Sequence, residues 1–241
     1  MKKTVTCIFA AFFVLSVFSC GYSASLDWLK DKLKVASSTK LSDTRIGSGL
    51  KEALKVGIVN TIKLLGQKDG YFGSQFVKIP LPESIKKIEP ALRNLGLGPK
   101  IDECTLSINR AAEKAAPLAA DIFSSAIAEM SFDDAKKLLQ GGGSAATDYF
   151  KTKTYNKLQQ AFYPAVRKSM DEYEATKKLE EIIGKIQTLP LVSNLAGTID
   201  INKYVSSKAL DGLFLVLGQQ EAKIRTDPKA RVTDLLKEVF K

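Results

Sequence analysis

Residues 201–224 read Ile-Asn-Lys-Tyr-Val-Ser-Ser-Lys-Ala-Leu-Asp-Gly-Leu-Phe-Leu-Val-Leu-Gly-Gln-Gln-Glu-Ala-Lys-Ile. Asp200 just before them is a cap residue, and the core of the run, Leu213 to Leu217, is apolar on every side. A helix that is greasy all round is buried among other elements. This stretch therefore predicts a central buried helix over 201–224 and a domain built by packing other helices around it.

The flanking segments supply those helices. Ser42-Asp43-Thr44 caps a helix in which Leu50, Leu54, Ile58 and Ile62 recur every four residues, and Gly66 stops it. Residues 67–74 form a glycine-rich turn around Asp69-Gly70. Val77 to Pro82 is extended, because each proline disfavours helical backbone in the residue before it. A helix from Pro82 to about Leu95, kinked at Pro90, ends at Gly96-Leu97-Gly98-Pro99.

From Lys100 to Met130 one apolar stripe rich in alanine includes Ile101, Ile108, Ala111, Ala112, Ala115, Leu118, Ala119 and Phe123. Pro117 kinks or restarts that helix. Ser131 caps the next, which ends at Gln140 before the Gly141-Gly142-Gly143 hinge. Ser144 opens a helix interrupted at Pro164 and reaching about Tyr173. A charged helix spans Ala175 to Gln187, and an amphipathic one spans Lys229 to Lys241. No stretch alternates with period two for long enough to be a strand. The reading is all-α: a single compact multi-helix domain of about eight to ten helices over residues 42–241.

The N-terminus carries an address. Met1-Lys2-Lys3 is followed by an apolar run from Val5 to Phe18 and then Ser19-Cys20-Gly21. A run of this length fits a secretory signal (1–19) and is short for a membrane span. Val17 and Ser19 match the bacterial lipobox before a lipid-modified Cys20; Phe18 is bulkier than that motif prefers. The alternative is an ordinary signal cut near Gly21 to Ala24, or a retained membrane anchor. Residues 20–41 then form a lipid anchor and tether. Within them Leu26, Leu29 and Leu33 share a helical face near Trp28, which either docks on the domain or lies on the membrane. Gly21 is not the aspartate of an inner-membrane retention signal, which points to the outer membrane, facing the periplasm. Without lipidation the chain would be soluble and periplasmic.

Composition removes whole classes of chemistry. There is no histidine, so the commonest general base and the usual zinc and iron ligand sets are missing. Of Cys7, Cys20 and Cys104, only Cys104 survives processing as a free thiol, so no internal disulfide forms. No cofactor and no metal is expected. The formal charge is +10, or about +8 without Lys2 and Lys3. In an exported chain this favours anionic lipid, envelope polymers or solubility over nucleic acid.

Motif by motif, little chemistry stands out. Ser37-Ser38-Thr39-Lys40 and Ser84-Ile85-Lys86-Lys87 match Ser-x-x-Lys without the companion motifs of serine acyltransferases. Asp133/Asp134 and Glu180/Glu181 point about 100° apart on a helix and form no convergent acid pair. Gly141-Gly142-Gly143-Ser144 lacks the Gly-Lys-Ser/Thr end of a phosphate loop. One group is a candidate site. Asn109, Arg110, Glu113 and Lys114 lie within about a turn, and Arg110 and Glu113 have pairing spacing. Covered by other helices, they would become a buried polar cluster facing a cavity. Asp211 beside Gly212 is a second candidate. The competing reading is an ordinary set of ion pairs that orients helices.

Several blocks in order resemble a known family: Gly49-Leu50-Lys51-Glu52-Ala53-Leu54, Lys78-Ile79-Pro80-Leu81-Pro82, Asn109-Arg110-Ala111-Ala112-Glu113-Lys114-Ala115, Lys208-Ala209-Leu210-Asp211-Gly212-Leu213-Phe214 and Thr233-Asp234-Leu235-Leu236-Lys237-Glu238-Val239-Phe240. They look like the successive blocks of DUF4197, bacterial envelope proteins of uncharacterised function, many of them lipoprotein-like. The resemblance covers roughly residues 40–241. It implies export and a helical fold, and it carries no catalytic or binding residue. The resulting expectation is a non-enzymatic module, held to the membrane through Cys20, that binds a partner protein or an apolar ligand between its helices. The alternatives are a carboxylate-dependent hydrolase or transferase using Glu113, Asp211 or Asp148, and a purely structural envelope factor.

Overall fold

The computed structural model describes residues 43–187 and 200–240. Cys20, the signal and the Trp28 helix lie outside them. In chain order the helices are α1 Asp43–Gly66, α2 Glu83–Lys86, α3 Glu89–Leu92, α4 Gly98–Ala115, α5 Ala119–Glu129, α6 Phe132–Gln140, α7 Ala145–Glu172, α8 Ala175–Gln187, α9 Ile201–Thr226 and α10 Asp234–Val239. Two of these, α2 and α3, are single turns; among the described residues there is no strand. The chain is all-α.

The central helix is α9. It packs most extensively on α7 and then on α1, while α4 packs on α7 and α8. Leu213, Phe214, Val216 and Leu217 are buried as their composition requires. Leu215 is the exception at 45 % exposed, so α9 is greasy all round in sequence yet shows one apolar residue to solvent. Phe123 of α5 sits at the heart of the core. It meets Phe150 edge-on at 5.4 Å and Phe214 edge-on at 6.0 Å, the geometry that aromatic quadrupoles prefer. Ala111, Ala112, Ala115, Ala116 and Ala119 are all fully buried, with small side chains that allow close helix contact. Leu118, expected in the same stripe, is 43 % exposed because it falls in the 3-10 turn Ala116–Leu118, where Pro117 ends α4.

Three local expectations need correction. Pro164 does not interrupt α7, which runs unbroken through it. The flanking Leu158, Phe162 and Val166 are fully buried, and packing on that face holds the helix despite the missing N–H. The helix expected over 82–95 breaks earlier, at Lys87–Ile88, so that Pro90 can occupy the first turn of α3, where no N–H is required. A wide turn, Arg93–Leu97, follows, and Gly96 takes φ 81° within it, a left-handed conformation open to glycine. At the C-terminus the chain makes a 3-10 turn at Pro228–Ala230, and α10 starts only at Asp234 under a Thr233 cap. Arg231 causes the delay: it donates to the carbonyls of Ile224 (3.1 Å) and Arg225 (2.8 Å) and closes the end of α9. Ser131 caps α6 as read from sequence, in a reciprocal box with Asp134.

Candidate functional site

The polar group on α4 folds into a lock for the 67–82 loop. Asn109 is fully buried, and its side-chain amide copies a strand partner. It accepts from the Ile79 N–H at 2.8 Å and donates to the Ile79 carbonyl at 2.8 Å. The Lys78-Ile79-Pro80 backbone belongs to no helix and no strand, so Asn109 meets a need that buried backbone cannot leave open.

One turn on, the Glu113 carboxylate accepts from the Tyr71 and Phe72 N–H groups, each at 3.1 Å, through Oε1. Its Oε2 pairs with Arg110 at 2.6 Å. Arg110 reaches on to Asp69 at 2.7 Å, so the glycine-rich turn is tied down at its tip. Desolvation alone would lower the Arg110 pKa; the hydrogen bonds to Glu113 and Asp69 outweigh it and raise it. Tyr71 is fully buried and donates through its hydroxyl to the Ala209 carbonyl of α9 at 2.8 Å. Burial, with the Glu113 charge beside it, pushes that phenol well above its ordinary pKa. Tyr204 donates to the Pro80 carbonyl at 3.0 Å. Gly212 lies where the loop crosses α9: a Cβ there would stand 2.9 Å from the Tyr71 ring and 3.2 Å from Val77.

The five sequence candidates therefore separate. Asn109, Arg110 and Glu113 act together on the loop. Lys114 points away from it and pairs with Glu172 of α7; that contact raises the Lys114 pKa and lowers that of Glu172. Asp211 is exposed and pairs with Lys208 at 3.5 Å, apart from the α4 group. Asp148 accepts from Ser144 at 2.9 Å. Among the described residues no group of acidic or cysteine side chains is placed to hold a metal. Cys104 is free and fully buried, and burial pushes its thiol up to about 12.

Sequence reasoning missed a second lock. Glu221 of α9 accepts from the N–H groups of Ala146 (3.0 Å) and Thr147 (2.9 Å) at the start of α7. Arg225 pairs with it at 2.9 Å and donates to the Leu138 carbonyl at 2.8 Å, at the end of α6. The available signal was the i,i+4 spacing of the two residues.

Three recesses stand out among the described residues. Between α1, α7 and α9 a void of only about 20 Å³ lies beneath Phe150 and Leu217, room for at most one water. A cleft of about 600 Å³ opens beside the lock, lined by Lys68, Arg110, Glu113, Lys114, Tyr173 and Lys178. A groove of about 290 Å³ lies between the loop and α9, lined by Phe76, Pro80, Tyr204, Lys208, Asp211 and Leu215. Phe76 is 76 % exposed on its rim. Among the described residues no helix is long and apolar enough to cross a membrane.

An all-helical domain with two buried Arg–Glu locks, one of which presents a stiffened loop, is the class this geometry defines. The chain belongs to the DUF4197 family, described as a protein of unknown function, whose family model matches residues 40–241. No curated protein and no solved structure matches the chain.

Proposed function

We propose that the chain is exported, held to the envelope membrane through Cys20, and acts as a binding module for an acidic partner protein at the Phe76–Leu215 groove. One observation carries this reading: a bulky aromatic is left in solvent at the edge of a loop that is otherwise pinned. Asp69, Tyr71, Phe72, Ile79 and Pro80 are each bonded to α4 or α9. Holding an apolar ring in water on a stiff loop adds nothing to the fold. At an interface it supplies buried area at low entropic cost. Leu215 shows solvent the one apolar side chain of the α9 centre, on the same groove. The net charge, about +8 once Lys2 and Lys3 leave with the signal, favours an acidic partner.

The other readings fit less well. A ligand between the helices needs a cavity of hundreds of Å³, and the void beneath Phe150 offers about 20 Å³. A general base must turn its carboxylate toward substrate. Glu113 already accepts three hydrogen bonds from Tyr71, Phe72 and Arg110.

A photo-crosslinker at position 76 of the chain in cells should trap one acidic polypeptide, and Leu215→Ser should abolish the adduct. Placed at Val59, exposed on α1 outside the groove, it should trap nothing comparable. Equal adducts from both positions, or none from position 76, overturn the docking surface. The anchor is tested separately. Intact mass of membrane-extracted protein should show Cys20 as the first residue, carrying acyl chains; a mature chain starting beyond Cys20 unmodified refutes it.

A further inference from the structure

The cleft beside the first lock has an unbalanced charge. Four cations line it, Lys68, Arg110, Lys114 and Lys178, against the carboxylate of Glu113, with Asp69 and Glu172 in contact from just outside the lining. Arg110 and Lys114 have acidic partners. The other two do not. Lys178 is held in place by neutral acceptors, the Ser107 hydroxyl and the Tyr173 carbonyl, each at 3.2 Å. Among the described residues no carboxylate lies within ion-pair distance of Lys178 or Lys68.

Lys178 also sits where the backbone opposes it. It belongs to the first turn of α8, which contains no acid; Glu174, just before the helix, is paired with Lys177 at 3.7 Å instead. The aligned peptide dipoles leave a helix N-terminus partly positive, so a cation there is unfavourable unless an anion joins it. Two uncompensated ammonium groups and a positive helix end, in a recess large enough for a small molecule, focus positive potential on the cleft.

We propose that this cleft binds the phosphate group of a small ligand, with Lys68 and Lys178 as its charged donors. Lysine suits phosphate as a point charge. The Tyr173 side chain on the same wall offers a hydroxyl donor. This site is separate from the Phe76 groove, and neither proposal depends on the other. The phosphate has two sources, a free phosphate ester or a phospholipid headgroup, and the experiment separates them.

The full chain isolated from cells is titrated calorimetrically with inorganic phosphate, alongside Lys68→Ala and Lys178→Met. Saturable binding is expected, weakened about tenfold by each substitution, the loss of one charge-assisted hydrogen bond. Lys68 is exposed and makes no ion pair, so its variant stays folded; circular dichroism checks both. The same three proteins are then floated with phosphatidylglycerol vesicles and with phosphatidylcholine vesicles. The anchor is common to all, so only differences between them count. Phosphatidylglycerol retention that falls in the variants and is competed by phosphate identifies a headgroup. Phosphate binding with unchanged retention identifies a soluble ester. No saturable phosphate heat, or equal affinity in wild type and Lys68→Ala, overturns the site.

Discussion

Glu113→Ala should lower the unfolding free energy by about 3–5 kcal/mol, the cost of stripping one partner from a buried ion pair. The Glu113 side chain is 6 % exposed and that of Arg110 is 17 % exposed. Removing the carboxylate strands the Tyr71 and Phe72 N–H groups and leaves Arg110 with Asp69 alone. Asp69 is half exposed, so its compensation is partial and the loss falls toward the lower end. Small domains hold only about 5–15 kcal/mol in total, so urea unfolding should show a large drop in midpoint. Glu113→Gln should lose less, because an amide oxygen still accepts from the two N–H groups while only the charge pairing goes. Lys114→Ala, one residue away on the exposed side, should leave the midpoint where it is. A Glu113→Ala protein as stable as wild type would show that the loop does not depend on this lock. The same variant should free Phe76 from its fixed position, so partner capture should weaken along with stability.

Why the lock was only partly legible follows from what periodicity encodes. Helix faces are local. Spacing in α1, α4 and α9 identified the buried Leu50, Ile108 and Leu213, and the glycine and proline breaks placed most helix ends. Arg110 and Glu113 were also visible as a pair, since three residues apart on a helix is a local fact. Their purpose was not visible, because their partners lie some forty residues upstream in a segment with no periodic signal. Asn109 shows the same limit: a buried amide reads as polar until the Ile79 backbone it serves is known. Pro164 misled in the opposite direction. A local rule predicted a break, and long-range packing of Phe162 and Val166 overrode it. Asp211 stood as a second, separate candidate because a charge beside Gly212 on an apolar helix suggests a buried polar position. The fold put it on the rim of a different recess.

Glu221→Ala should destabilise at least as much as Glu113→Ala, again about 3–5 kcal/mol, although its i,i+4 spacing to Arg225 is the one local hint of its role. The Glu221 side chain is 7 % exposed and that of Arg225 is 15 % exposed. Glu221 takes two N–H groups at the first turn of α7 and the Thr147 hydroxyl at 2.8 Å, so one carboxylate from another helix does the work of a cap. A helix start leaves its first N–H groups without intrahelical partners, and Ser144 makes no side-chain cap bond there. The carboxylate also favours the positive end of the α7 dipole. Arg225, without Glu221, keeps only the Leu138 and Leu139 carbonyls and has no second carboxylate comparable to Asp69. The segment released is then the Gly141–Gly143 turn, which the two residues hold from either side. Native-state hydrogen exchange should show it: the Ala146 and Thr147 amides should lose protection in Glu221→Ala, while the Tyr71 and Phe72 amides keep theirs. The reverse should hold in Glu113→Ala. Loss of protection at both places in either variant would mean that the two locks form one cooperative network rather than two independent pins.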